Sequence, residues 1–257
     1  MCLDLLKLLF LYYLYMTART FVGVAPRAGV GLTTLFINFA HIIGDKNRVL
    51  YVDLDILNLG GTGLLGLERE CNIWEIINGK VNEETPYIHK FENFDVLPIY
   101  ILKPKHMSIY LDDEERYINM ILEKIDGLKN SYDYIFIDTL PGYTVTSITT
   151  WQKYASLIGV ANYNVQAISS LLQVNDIFKE WSARNLKREF LSIVFNDTGN
   201  HEKINIRVLQ EIFTNIPIYT VPYTKEFYSS HPIANEDIIY KSELRRIIKN
   251  ISQLASG

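Results

Sequence analysis

The chain is poor in cysteine. Among its 257 residues there are two, Cys2 and Cys71, and no CxxC pair. That excludes a cysteine-rich zinc site, gives no disulfide framework, and makes a reducing, cytoplasmic setting the default. Histidine is sparse too: the five are scattered, without the HExxH spacing of a zinc hydrolase. The apolar run near the N-terminus, Leu8 to Met16, is nine residues long, against about 20 needed to span a bilayer. A net charge of −4 gives no global pull toward nucleic acid or anionic lipid, so any such contact must come from a local patch. Neither a Gly/Pro/Ser-rich linker nor an internal repeat divides the chain, and 48% hydrophobic with 21% charged residues suits one large domain.

The opening stretch "MCLDLLKLLFLYYLYM" is apolar apart from Asp4 and Lys7, and no small-residue cleavage site follows it. Two readings stay open. Residues 1–16 are an apolar extension outside a single domain at 17–257: either Met16 is the natural start and the first fifteen residues are mis-called, or the stretch is an added helix that packs on the body or lies on a membrane surface.

What the chain does have is alternation. Strands are predicted at 20–25, 48–55, 94–100, 132–139, 155–162, 190–196 and 216–223. Most are continuous apolar runs, the pattern of strands buried on both faces. Helical spacing links them: Leu35, Phe39, Ile42; then Ile118, Ile121, Leu122, Ile125, Leu128; then 168–188; then Leu244, Ile247, Ile248, Ile251, Leu254. The expectation is an α/β fold, a doubly wound, mostly parallel sheet of about seven strands with helices on both faces. In such a sheet ligands bind beyond the carboxyl ends of the strands.

Three segments end at that edge with chemistry. "APRAGVGLTT" (25–34) follows a strand and opens a helix. Glycines there let backbone N–H groups close on phosphate oxygens, and the helix terminus favours negative charge. Thr33 is placed to offer a hydroxyl to Mg²⁺. The alternative is a glycine-rich turn without a ligand. "LYVDLDILNLGG" (50–61) ends an apolar strand in Asp53 and Asp55, which alternation puts on one side. One acid can hold Mg²⁺ through water and the other can orient an attacking water; the alternative is a pair of solvated strand-end acids. "YDYIFIDTLPG" (132–142) leads four apolar or aromatic positions into Asp138 and a turn closed by Pro141 and Gly142. A buried strand ending in one Asp resembles the Walker B arrangement.

Taken together, in this order and spacing, the segments resemble the ParA/MinD family of P-loop ATPases over residues 20 to about 255, and the MinD-like branch in particular. The stretch from Asp53 to Lys80 and the "VLP" at 96–98 carry that second likeness, and "YDYIFIDTLPG" is close to the family's equivalent with Leu140 in place of a proline. The resemblance implies ATP or ADP with Mg²⁺ as ligands. It places the phosphates on Ala28, Gly29, Val30, Gly31, Leu32, Thr33 and Thr34, the metal near Thr33, Asp53 and Asp138, the attacking water at Asp55, and the base by Asn196 and Pro222. It also implies a nucleotide-dependent homodimer that acts on cellular cargo in the cytoplasm, in some relatives at a nucleoid or membrane surface.

The pattern breaks in the loop. Where the family has two lysines, this chain has Arg27 and Leu32. A hydrogen bond to a charged group contributes about 1.5–3 kcal/mol, so losing the second lysine is expected to weaken triphosphate binding roughly ten- to a hundredfold, and turnover more. Arg27, long and always charged, can compensate in part, folding back in cis or reaching across a dimer. Two functions stay open: a switch with slow or no hydrolysis of ATP, and an adaptor that keeps the fold for protein binding without turnover. The basic residues of the last helix, Lys241, Arg245, Arg246 and Lys249, and the cluster Lys179, Arg184, Lys187 and Arg188, are expected to be solvated, with membrane or DNA contact as the alternative.

Overall fold

The computed structural model describes residues 18–55, 60–67, 88–98, 112–142, 145–182, 189–199, 204–225, 233 and 237–255. In chain order the elements are β1 (Arg19–Val24), α1 (Leu32–Gly44), β2 (Val49–Leu54), α2 (Gly60–Leu64), β3 (His89–Phe91), β4 (Phe94–Pro98), α3 (Glu114–Leu128), β5 (Tyr134–Thr139), α4 (Val145–Trp151), β6 (Ser156–Ala161), α5 (Val165–Ser182), β7 (Ser192–Asn196), α6 (Ile206–Ile212), β8 (Ile218–Val221) and α7 (Ile238–Leu254). The eight strands form one sheet in the order β3-β4-β2-β5-β1-β6-β7-β8. Seven run parallel. β3 pairs antiparallel with β4 at the edge and is the strand the sequence did not reveal, because three residues carry too little periodicity to register.

The central strands β2, β5 and β1 are fully or almost fully buried along their length, which accounts for their unbroken apolar character. α1 and α7 pack together over one face, and α3 packs with α4. The core beneath α1 is aromatic. Phe21 stacks on Phe136 with centroids 5.5 Å apart, and Phe36 of α1 meets Phe136 edge-on at 5.5 Å. Phe136 is wholly buried, so Phe136→Ala is expected to cost about 3–5 kcal/mol, measured as a fall in the denaturant midpoint.

Side chains set the helix starts. Asp113 accepts the Arg116 N–H at 2.9 Å and Asp237 the Tyr240 N–H at 2.9 Å. α7 buries Tyr240, Leu244, Ile247, Ile248 and Ile251, so its apolar stripe closes the fold while Arg245 and Arg246 stay exposed. Residues 1–16, Arg184, Lys187 and Arg188 lie outside the described residues, as do residues 99–100 of the third expected strand.

Candidate functional site

β2, β5 and β1 are neighbours, and their register lines up two rows. Tyr51, Phe136 and Phe21 form one; Asp53, Asp138 and Gly23 form the next, toward the carboxyl edge. Residues two apart share a face, so the acidic row continues the aromatic core that α1 covers. Asp53 and Asp138 are 0% exposed and Asp55 is 6% exposed. These are interior carboxylates, and burying a charge is costly unless it is paired or coordinated.

Asp53 is satisfied from within. Its Oδ2 accepts the backbone N–H and the hydroxyl of Thr62 at 2.6 and 2.7 Å, and its Oδ1 accepts the Asp55 N–H at 3.2 Å. Asp53 therefore clamps α2 to β2 and fixes the backbone that carries Asp55. Burial raises its pKa above the ordinary carboxylate value, and the Thr62 bonds pull the other way.

Asp138 is only half satisfied. The Tyr51 hydroxyl donates to its Oδ2 at 2.6 Å, and Oδ1 is buried with no hydrogen-bond partner among the described residues. Burial, and then the charge of Asp53, push its pKa up to about 8, against the lowering effect of Tyr51 and Thr33. The Thr33 hydroxyl thus lies beside Asp138. It also stands 3.5 Å from where a Cβ on Gly60 would be, with Asp55 Oδ2 at 3.6 Å from the same point. Thr33, Asp53, Asp55 and Asp138, distant in sequence, meet at one place.

The glycine loop supplies the rest. Gly31 caps α1 at φ 85°, a left-handed conformation, with no side-chain hydrogen bond to the cap. The first turn of α1 contains no acidic residue, so no side chain of its own competes for its free N–H groups. Gly31 also has no room for a Cβ, because Asn196 Nδ2 lies against it. Gly31→Ala is expected to lose at least about 1–2 kcal/mol from the left-handed backbone alone, with a further loss from displacing Asn196; chemical denaturation measures it.

Leu32 does not fill the site. It is 5% exposed, and its Cδ1 packs on Gly23 of β1, beside the Phe36 ring. A β1 residue with any side chain at position 23 would exclude it. Arg27 is exposed and donates to Gln166 Oε1 at 3.2 Å, so it folds toward the start of α5 in the same chain. Ala28 and Gly29 are exposed, Val30 is buried, and Thr34 is half-buried. Asn196, at the end of β7, is buried and donates to the Val30 carbonyl at 3.2 Å; it braces the glycine loop from behind. Pro222 is half-buried just after β8, next to Tyr223, which packs on Gly199.

Tyr51, Thr62 and Gly23 were not singled out from the sequence. A signal existed for Tyr51, two residues before Asp53 and hence on the same face of β2.

Comparison with known proteins agrees with this architecture. A family model described as an AAA domain matches residues 21–189. The chain belongs to that family. A protein of Oltmannsiellopsis viridis named as a MinD-type septum site-determining protein is 27% identical over 207 residues, covering 79% of this chain and 63% of that protein. The solved structure of MinD from Pyrococcus horikoshii OT3 with Mg-ADP superposes with a TM-score of 0.72 at 19% identity, over 93% of this chain and 98% of the other. A protein of Borrelia burgdorferi B31 named for plasmid partition, bound to AMPPNP, gives 0.70 at 22% identity, over 92% and 99%. At those identities the structures bear on the fold, and the fold is theirs: a mostly parallel P-loop sheet of the ParA/MinD type.

The residues present suit magnesium only in company with phosphate. No three His, Cys, Asp or Glu side chains among the described residues are disposed to hold an ion by themselves. Mg²⁺ keeps several waters and takes one or two carboxylates plus phosphate oxygens. The unpartnered Oδ1 of Asp138, the Thr33 hydroxyl and an uncapped 13-residue helix N-terminus match that demand.

Proposed function

We propose that this chain is a ParA/MinD-like, nucleotide-dependent switch that binds ATP or ADP with Mg²⁺, pairs face to face with a second copy, and takes part in partitioning or positioning a cellular cargo, with ATP hydrolysis slow or absent. The observation that carries this reading is the convergence of Thr33, Asp53, Asp55 and Asp138 at the N-terminus of α1.

In this reading the phosphates rest on the amides of residues 28–34. Thr33 and Asp138 hold the ion and its waters, and Asp53 keeps the Asp55 segment in place. Asp55 orients the attacking water, and Arg27 supplies the cation that the loop lacks, from Gln166 in cis or across a dimer. Asn196 and Pro222 border the base. The ion supplies charge neutralisation at the phosphates. Because Leu32 offers none, binding is expected to lean on Mg²⁺ heavily.

Isothermal calorimetry tests it. The folded chain should release or absorb heat with MgATP, with a dissociation constant at least tenfold weaker in EDTA. An absence of heat at millimolar nucleotide would remove the reading.

The burial of Leu32 on Gly23 favours a second reading, an adaptor in which nucleotide is structural and never turned over. No helix among the described residues is long and apolar enough to cross a membrane. A phosphate-release assay separates the two: turnover in the native chain that Asp55→Ala abolishes supports the switch, whereas an inactive native chain that Leu32→Lys activates supports the adaptor.

A further inference from the structure

We infer that Tyr51 is the positioning residue of the magnesium site: its hydroxyl holds Oδ2 of Asp138 so that Oδ1 is presented to the ion. The inference rests on the nucleotide-binding reading above and adds to it a residue that the glycine-loop and acidic motifs do not contain.

Three observations meet on this one hydroxyl. First, Tyr51 is completely buried, and its donor is spent on Asp138 Oδ2 in a short bond of 2.6 Å. A phenylalanine at this strand position would fill the same space beside Phe136, its register partner, so the aromatic core does not require a hydroxyl here. Second, the other carboxylate oxygen, Oδ1, is buried and has no hydrogen-bond partner among the described residues. With Oδ2 held by Tyr51, one orientation of the carboxylate is favoured, and Thr33 lies beside the same group. Third, the position of the hydroxyl is itself set from behind. Gly61, the second residue of α2, lies so close that a Cβ there would overlap the Tyr51 hydroxyl. The next residue, Thr62, is tied to Asp53 by two hydrogen bonds. The α2 turn therefore acts as a backstop for both carboxylates, through Thr62 on Asp53 and through Tyr51 on Asp138.

Groups that orient a metal's ligands from behind typically change metal affinity ten- to a hundredfold when removed. A residue that only filled the core would affect folding and every ligand alike. The distinction gives the test. Calorimetry on the full chain measures ADP binding in excess Mg²⁺ and in EDTA, for the native protein and for Tyr51→Phe, with a thermal melt of each. The expected result is ADP binding in EDTA unchanged within about twofold, and the tightening conferred by Mg²⁺ reduced about ten- to a hundredfold. Equal loss with and without Mg²⁺, or no change in either, overturns the inference.

Gly61→Ala provides a second route should the phenylalanine variant fail to fold. It leaves Tyr51 in the chain but forces its hydroxyl away from Asp138, and the same magnesium-selective loss is expected; an unchanged magnesium effect in that variant overturns the inference. If the native chain binds no ADP under either condition, the nucleotide reading itself has failed and the role of Tyr51 goes with it. If the native chain binds ADP with a strong magnesium effect and the variants keep that effect, only the role of Tyr51 is lost.

Discussion

Lysine in place of Leu32 is expected to destabilise the ligand-free chain and to make MgADP stabilise it far more than it stabilises the native protein. Leu32 is 5% exposed and packs on Gly23 beside Phe36, so its methyl groups belong to the core. Emptying a buried leucine site costs about 2–5 kcal/mol. The lysine stem recovers part of that by snorkelling toward the loop, leaving a loss of about 2 kcal/mol. In a domain of this size that is a melting temperature lower by roughly 4–8 °C. A ligand at about a hundred times its dissociation constant restores about 2.7 kcal/mol, enough to bring the variant back to or above the native value. Thermal melts of both proteins, with and without MgADP, measure the four quantities. An unchanged melting temperature in the ligand-free variant would show that Leu32 is not a core residue. An equal ligand effect in both proteins would show that the ammonium finds no phosphate at the loop.

The second large effect is a pH dependence that one carboxylate carries. The Asp138 pKa is raised in the folded chain from an ordinary 3.8 to about 8, by burial first and the neighbouring Asp53 charge second. The folded state therefore holds this proton over a pH range in which the unfolded chain has lost it. The stability Asp138 contributes is fully present below its unfolded value and is lost as the pH rises through about 8. Since each pKa unit is worth about 1.4 kcal/mol, the loss is of the order of a few kcal/mol. Denaturation midpoints of the native chain are expected to fall between mildly acid and mildly alkaline pH. In Asp138→Asn the fall in that window should shrink markedly, and at alkaline pH the variant should be the more stable of the two. Its magnesium-dependent nucleotide binding should be lost. In the native chain, coordination by the ionised Asp138 displaces the proton, so MgADP binding should tighten up to about tenfold per pH unit until the pH reaches about 8. Parallel pH profiles in the two proteins would mean that Asp138 is not the titrating group.

Much of this was legible in the sequence, for a physical reason. Strands that end in acids and a glycine loop between a strand and a helix are patterns of period and punctuation, and those survive in a string of letters. The seven parallel strands and the meeting of Thr33 with Asp138 follow from them. What escaped was of two kinds. Short or propensity-poor elements gave no periodic signal: β3 has three residues, and α4, "VTSITTW", is rich in β-branched residues that disfavour a helix. α6 carried a usable sign in its cap, since Asn205 accepts the Arg207 N–H at 2.9 Å, but only seven residues follow. The second kind depends on neighbours across the sheet. That Leu32 has a slot depends on Gly23, whose missing side chain leaves the room that the Leu32 methyl fills. That Asn196 braces the Val30 carbonyl depends on β7 ending behind the loop. Tyr51 stands inside an apolar strand and is core; what its hydroxyl touches required the register of β2 against β5.

The most direct test is diffraction from crystals of the full chain grown with Mg²⁺ and AMPPNP. The account predicts phosphate density on the amides of residues 28–34, with a metal ion and its waters between Thr33 and Asp138 and the Leu32 side chain still seated on Gly23. A loop empty at millimolar nucleotide, or nucleotide bound elsewhere with Thr33 and Asp138 turned away from it, would contradict it.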